Sequence, residues 1–314
     1  EISVAFEGER VTVEDATGKK CPDLVFPNVE DHGYFAVNLD PKSLEAAKTS
    51  LAKVADPFTR HLLVFTLWEM VKASKWKVED FASAAIEWIS RETNKTLLED
   101  LAFVLENRSQ TRLSVARLLE GEARTKFRKE LHSLARKRAE NSAPGSDLQR
   151  IWFKLALRSM DTNDAEWALR LATKKTKISG LKIDPDLRWE ILTAAASLAP
   201  IPGEILELAA KEDRSAEGES KLLAVKAASP DLSAEFPALY SLEKTDPAIP
   251  TTKLRKTAAA YLNYGNPERI TAWRPKFFSA LESVASKSDE SYYRTFAQAL
   301  YPALCSTEVA DETD

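Results

Sequence analysis

The sequence predicts a mostly α fold: a long run of short helices preceded by a few β-strands. Three patterns carry this. From about residue 57 onward apolar residues recur at i, i+3, i+4 and i+7, the spacing of a helix with one buried face. Prolines and capping residues fall between those segments, and only nine of the 314 residues are glycine. Before residue 41, apolar residues instead alternate with polar ones, the period of a half-buried strand.

The opening reads as strand. Ile2, Val4 and Phe6 alternate with polar residues, and Val11 and Val13 do so again beyond a turn at Gly8. A two- or three-strand ribbon is marginal alone. Residues 1–40 are therefore expected to be the last strands of a small β-sandwich whose earlier strands lie before Glu1. The first residue, Glu and not Met, fits a chain cut from a longer one. Pro22–Asp40 stays strand-like and stops at Pro41.

Helices follow. Asp56-Pro57 reads as an N-cap and a first helical residue. Phe58–Val71 is apolar nearly all round, so this helix is expected to lie buried between neighbours. Phe81, Ala84, Ala85, Trp88 and Ile89 form one apolar face, and Leu97, Leu98, Leu101, Val104 and Leu105 form the next. Ala116, Leu119, Ala123, Phe127, Leu131 and Leu134 continue along one or two further helices. The pattern breaks at Ala143–Ser146. Ser146 or Asp147 then caps a helix bearing Leu148, Ile151, Trp152 and Leu155, and Asn163 or Asp164 caps one bearing Trp167, Ala168 and Leu171.

The second half repeats the habit. Asp184-Pro185 opens a helix with Leu187, Ile191, Leu192, Ala195 and Leu198. Pro200–Gly203 separates it from Ile205–Ala210, and Leu222–Ala228 follows, ending at Ser229-Pro230. Ala248–Pro250 is a loop before Lys253–Tyr264, Asn266-Pro267 precedes Ile270–Ala285, and Ser288 or Asp289 caps a last helix through Leu304. The sum is about fifteen or sixteen helices of roughly 10–18 residues joined by short loops. Serial amphipathic pairs of this kind point to an irregular HEAT/armadillo-like superhelix over residues 41–305, although no fixed repeat period is visible. Residues 306–314 are an acidic tail expected to fray.

Composition narrows the function. No stretch is long and apolar enough to cross a bilayer, so no membrane association is expected. The net charge of −4 argues against non-specific nucleic-acid binding. Cys21 and Cys305 are far apart and imply no disulfide framework, which fits a cytoplasmic protein. The basic run Arg124, Lys126, Arg128, Lys129, Arg136, Lys137 and Arg138 is interleaved with Glu120, Glu122, Glu130 and Glu140 and reads as a solvated helix face. The seven tryptophans fall on apolar faces and read as core.

Candidate chemistry is mostly missing. A zinc peptidase needs two histidines one helical turn apart and a glutamate base, as in H-E-x-x-H. The three histidines, His32, His61 and His132, are too far apart for that. They read as one turn histidine and two ordinary helix histidines. No G-x-S-x-G elbow or phosphate loop is present, and neither cysteine has a readable activating partner. Glu92/Glu99 and Asp184/Asp186 are carboxylate pairs of the kind any acidic chain contains, and Asp184 and Arg188 are spaced for a helix-surface ion pair. The residues thus predict no catalytic, metal or cofactor site, and they single out no substrate-channel residue.

Three segments carry a resemblance. Gly33–Asp40, reading GYFAVNLD, resembles the GYYRVNYD-type segment of the zinc aminopeptidase N family, with Asp23-Leu24-Val25 and Asn28 before it. Gly180–Trp189, reading GLKIDPDLRW, resembles a mid-domain segment of the actinobacterial-type branch, and Tyr292–Pro302 resembles its C-terminal helix. The three occur in the family's order and span both ends and the middle of the chain. None is a catalytic motif. The resemblance implies a sandwich-to-helix junction at residue 40 and a helical C-terminal domain beyond it. It implies that the zinc ligands, the glutamate base and the segment that recognises the substrate amino terminus belong to a separate catalytic domain of the same polypeptide. The expected role is therefore non-catalytic: to enclose the active-site cavity, gate access and help bind peptide substrates. Asp184–Trp189 either lines the substrate cavity or serves as a helix start. A stand-alone helical-repeat scaffold binding a partner protein on its concave face accounts for the helices equally well, but not for the ordered segments.

Overall fold

The computed structural model describes residues 2–5, 7–107, 112–230, 250–263 and 267–303. Among these are fourteen α-helices and no strand. The chain divides into two compact units, residues 1–77 and 78–314.

In the first unit the expected strands are not seen among the described residues. The described residues before α1 run as irregular chain with two 3₁₀ turns, Glu14–Ala16 and Val29–Asp31. A strand is stable only when its N–H and C=O groups pair with a neighbouring ladder. The described residues supply none, and Ile2, Val4, Val11 and Val25 remain exposed. Order comes instead from side chains. Asn28 clasps the next turn, accepting from Gly33 N–H at 2.9 Å and donating to Gly33 O at 3.0 Å. Asp40 caps α1 (Pro41–Ser50) by accepting from the N–H groups of Lys42 and Ser43. Ser43 Oγ in turn accepts from Val25 N–H at 2.9 Å, tying the irregular chain to the helix. Asp56 caps α2 (Pro57–Lys72) as its sequence predicts. Leu63, Val64, Leu67, Trp68, Met70 and Val71 of α2 are buried, whereas Phe58 is exposed, so its apolar surround is covered on one side more than the other.

The second unit holds α3 (Val78–Arg91), α4 (Lys95–Leu105), α5 (Val115–Leu118), α6 (Gly121–Asn141), α7 (Asp147–Ser159), α8 (Ala165–Ala172), α9 (Pro185–Ala196), α10 (Gly203–Glu212), α11 (Ala216–Ala227), α12 (Thr251–Tyr261), α13 (Pro267–Lys287) and α14 (Glu290–Leu300). Helices α4, α7, α9, α11, α12 and α14 touch in succession and form one layer. Helices α3, α6, α8, α10 and α13 pack on it, so each chain reversal adds a helix to one layer or the other. This serial, two-layered packing is solenoid-like.

Caps and breaks match the sequence with informative exceptions. Ser146, Asp184 and Asp289 each accept from an N–H in the first turn of their helix, as expected, and Asn94 and Ser215, which the sequence did not single out, do the same. The start of α8 differs. Neither Asn163 nor Asp164 caps it. Asp161 does the capping, one 3₁₀ turn earlier, in a box with Asp164 over Thr162–Asp164. The stretch from Ala116 to Leu134 resolves into two helices, α5 and α6, divided at Leu119-Glu120. Ala248, Ile249, Tyr264, Asn266, Leu304, Cys305 and the tail 306–314 lie outside the described residues. Six of the seven tryptophans are buried, and Trp167 is half-buried. Near the C-terminus Phe277 stacks on Phe296 with centroids 6.1 Å apart, and Trp273 donates its indole N–H to Leu300 O at 2.8 Å.

One contact fixes the turn between α6 and α7 against the loop before α9. Gly180 has φ +77°, and a Cβ there would sit 2.3 Å from Pro144 Cβ. Gln149, fully buried, bridges the two segments with 2.8 Å bonds from Gly145 N–H and to Ser179 O. Gly180→Ala should therefore destabilise the protein by about 1–3 kcal/mol. Gly203→Ala, where a Cβ meets nothing within 4 Å, should change stability by no more than about 0.5 kcal/mol. Paired urea melts check both values, and equal midpoints would refute the packing role of Gly180.

Candidate functional site

The three histidines remain apart and differently used. His32 is exposed and lies 3.1 Å from Glu30. His61 stacks on Phe65 with ring centroids 4.6 Å apart. His132 is buried, and its Nδ1–H donates to Ala156 O at 2.9 Å. Among the described residues no group of three His, Cys, Asp or Glu side chains is placed to hold a metal ion. These residues do not fit a zinc site.

The segment Asp184–Trp189 serves as a helix start. Asp184 caps α9 through Leu187 N–H at 2.7 Å and takes a second contact from Arg150 at 2.9 Å. The predicted surface pair between Asp184 and Arg188 is not made. Arg188 is buried, and it donates from Nε to Ala172 O at 2.9 Å and from Nη1 to Glu212. The helix carries residue 188 inward, so a spacing that suits a surface pair instead places a cation over the carbonyl end of α8. Trp189 donates its indole N–H to Asp213 at 2.9 Å. Asp186 pairs with Lys221. Glu92 is buried and accepts from Thr93 and Asn94 N–H at 2.9 and 2.7 Å, which shapes the turn before α4.

A concavity lined by described residues lies along α6. It holds about 480 Å³. One wall is a single face of α6, Lys129, His132, Ser133, Arg136, Lys137 and Glu140, at spacings i, i+3, i+4, i+7, i+8 and i+11. The facing wall is Ser159, Asp161, Asn163 and Asp164 at the end of α7 and the start of α8. Trp167 packs against two of the lining side chains, with Arg136 over its ring at 4.7 Å and His132 edge-on at 5.7 Å. His132 Nε2 lies 3.3 Å from Asp164 but lacks hydrogen-bond alignment. Both ring nitrogens thus face groups other than Ser133, and Ser159 donates to Leu155 O at 2.8 Å. The cleft opposes cations to carboxylates and contains no nucleophile–base pair.

The sequence left this face undetected because its basic run was counted along the chain and not around the helix. Read by helical position, the run separates. Arg124, Arg128 and Arg138 turn inward to the carbonyls of Leu119, Met160 and Ser90, with 2.6 Å for the first and 3.0 Å for the second. Arg128 also meets buried Glu106 at 3.0 Å. Three of the seven are therefore packing and not the solvated face that was expected, Lys129, Arg136 and Lys137 line the cleft, and Lys126 is exposed.

The hydrogen bond from Arg150, with help from Leu187 N–H, holds the Asp184 carboxyl below its ordinary value of 3.8, against a smaller opposing effect of desolvation. Asp184→Ala should cost about 1–2 kcal/mol through the lost cap. Asp184→Asn should cost under about 1 kcal/mol, since an amide still caps and an exposed ion pair contributes little. A depressed carboxyl stabilises the fold above its unfolded value and loses that contribution as pH falls through the lower folded value. The gap between wild type and Asp184→Asn should accordingly be constant near neutrality and close below about pH 4. A melt series over pH checks this, and a gap that widens on acidification would refute it.

Two comparisons with known proteins bear on this arrangement. The family model described as "ERAP1-like C-terminal domain" matches residues 24–314. An aminopeptidase N of Streptomyces lividans is 25% identical over 319 residues, covering 100% of this chain and 36% of that protein. The chain thus spans little more than a third of the length of this relative. It belongs to the ERAP1-like C-terminal domain family and corresponds to the C-terminal part of an aminopeptidase N-type protein.

Proposed function

From this membership we propose that the chain is the non-catalytic C-terminal part of a zinc aminopeptidase that removes N-terminal residues from peptides. It encloses the active-site cavity, gates access and helps to bind the substrate. The match across residues 24–314 carries the reading. The histidine spacing supports the non-catalytic part, because H-E-x-x-H chemistry has no residues here to perform it. Zinc, the glutamate base and the pocket for the substrate amino terminus then reside in a catalytic domain of the same polypeptide, in the cytoplasm. Residues 1–40 complete a β-sandwich once that part of the polypeptide supplies partner strands.

The physical logic of such a role is steric and additive. Serial helix packing lets small shifts between neighbours accumulate into a large displacement. A wall needs no reactive group to exclude folded proteins. Contacts to a peptide distant from the scissile bond can position that bond and raise turnover.

Two outcomes test the reading. The purified chain should hydrolyse no aminoacyl anilide and should bind no stoichiometric zinc; one tightly bound zinc per chain with chelator-sensitive activity would overturn it. In the complete enzyme, deleting this part should reduce turnover of a longer peptide more than that of a one-residue anilide. A thermal melt must first show that the truncated enzyme is folded. An unchanged ratio of the two rates in a folded truncated enzyme would leave the part as structural support alone.

A further inference from the structure

The two ends of the α4–α7–α9–α11–α12–α14 layer are held by different chemistry. At the helix starts, charge joins neighbour to neighbour. Lys95, the first residue of α4, lies 2.5 Å from Asp147, the first residue of α7. Arg150 of α7 meets Asp184, the cap of α9, at 2.9 Å. Asp186 of α9 pairs with Lys221 of α11, which also lies 3.7 Å from Glu217. Glu217 meets Lys256 of α12 at 2.5 Å, and Glu219 meets Lys253 at 3.7 Å. Each of these groups is a cap or falls within the first six residues of its helix. The row is thus a seam running across five successive helices of one layer. Lys95 and Lys253 stand in first turns, where the helix dipole disfavours a cation. A carboxylate on a neighbouring helix, Asp147 for Lys95 and Glu219 for Lys253, offsets that in each case. The hydrogen bonds from Lys95, Arg150 and Lys256 hold Asp147, Asp184 and Glu217 respectively below the ordinary carboxyl range.

At the opposite ends of these helices buried or half-buried donors from the other layer hold carbonyl groups, and Glu106, the carboxylate at the end of α4 that Arg128 also meets at 3.0 Å, is itself buried. Arg128 donates to Arg158 O and Met160 O at the end of α7, at 3.3 and 3.0 Å. Arg269, 2% exposed, donates to Ala227 O at the end of α11 at 3.0 Å. Trp273, 1% exposed, donates to Leu300 O at the end of α14 at 2.8 Å. Exposed ion pairs are screened by salt, whereas buried bonds to carbonyls are not.

We propose that residues 78–314 are built to open along the helix-start edge of this layer, with the ion-pair row as a salt-sensitive seam and the arginine- and tryptophan-held edge as its hinge. Rising ionic strength loosens the seam and leaves the hinge in place, so the helices splay at one edge. Where the chain walls a peptidase cavity, which is the reading above and on which this last step alone rests, the same splaying sets how wide that wall stands.

Hydrogen exchange on the chain by itself tests the seam without reference to activity. At about 1 M NaCl the Debye length shrinks to about 3 Å. Second-turn amides of α9, α11 and α12 should then exchange about fivefold faster than at low salt. Amides in the last turns of α7, α11 and α14 should keep their low-salt rates. Lys221→Met combined with Lys256→Met should give fast seam exchange already at low salt and remove the response to added salt. Acceleration spread equally over both edges would overturn the proposal, as would seam amides that ignore salt in the wild-type chain. The wild-type titration alone decides the matter if the double variant fails to fold. A salt-responsive seam combined with an unchanged peptide-to-anilide ratio on deletion would keep the hinge and discard the gating function.

Discussion

A helix leaves its first N–H groups without intrahelical partners, and the position of each helix here depends on how that debt of donors is met. Seven of the fourteen described helices answer with a side-chain oxygen: Asp40, Asp56, Asn94, Ser146, Asp184, Ser215 and Asp289. In the larger unit these caps belong to α4, α7, α9, α11 and α14, all members of one layer. The helices packed on that layer start differently: Glu120 and Pro202 provide no side-chain cap to α6 and α10, and α8 relies on a box one turn earlier. Within the layer α12 is the exception, since Pro250 gives it no side-chain cap, and the other five fixed starts align first turns along one edge. Acids favoured there by the dipole then meet bases of the next helix.

The carbonyl ends pose the converse problem, and arginine meets it. A guanidinium offers five donors in a planar fork and can satisfy several orphan carbonyls at once. Arg124, Arg128, Arg138, Arg188 and Arg269 each donate to a carbonyl at or just beyond a helix end. All five are carried on a helix other than the one whose cation-favouring end they meet, so each bond also joins two elements. Basic residues that look like surface charge in the sequence are therefore structural ties. Removing one would leave a buried carbonyl unpaired as well as deleting a contact.

Local signals were legible and pairings were not. Asp56-Pro57 and Asp184-Pro185 announce helix starts because cap and first residue are adjacent in sequence. The face Phe81, Ala85, Trp88 and Ile89 is buried as its spacing requires. Alternation at Ile2, Val4, Val11 and Val13 meets no partner strand among the described residues, because a strand is a property of two chains of backbone and periodicity reports one. Arg188 misled for a related reason: i, i+4 spacing fixes which residues are neighbours on a helix, but not whether that flank faces water. The cleft on α6 escaped notice although Lys129, His132, Ser133, Arg136 and Lys137 already have helical spacing. Its other wall, Asp161–Asp164, is about 30 residues away and reaches it only through the α6–α7 reversal. The seam is hidden in the same way, since Arg150 and Asp184 or Lys221 and Asp186 are brought together by helix packing.

These observations explain why family membership was readable while no site was. A catalytic centre fixes residue types at fixed spacings, since a zinc ion or a nucleophile tolerates few substitutes. A wall fixes only volumes, periods and stops. Apolar residues of about the right size keep a core folded, and any of several oxygens can cap a helix. Such a chain can diverge to 25% identity with a relative while keeping helix starts and reversals. What remains recognisable are the few places where backbone geometry is tightly constrained: the turn clasped by Asn28, the close approach at Gly180, and the cap-and-proline start at Asp184. The segments that carried the resemblance include those positions. Those are the positions that hold helix starts and reversals in place.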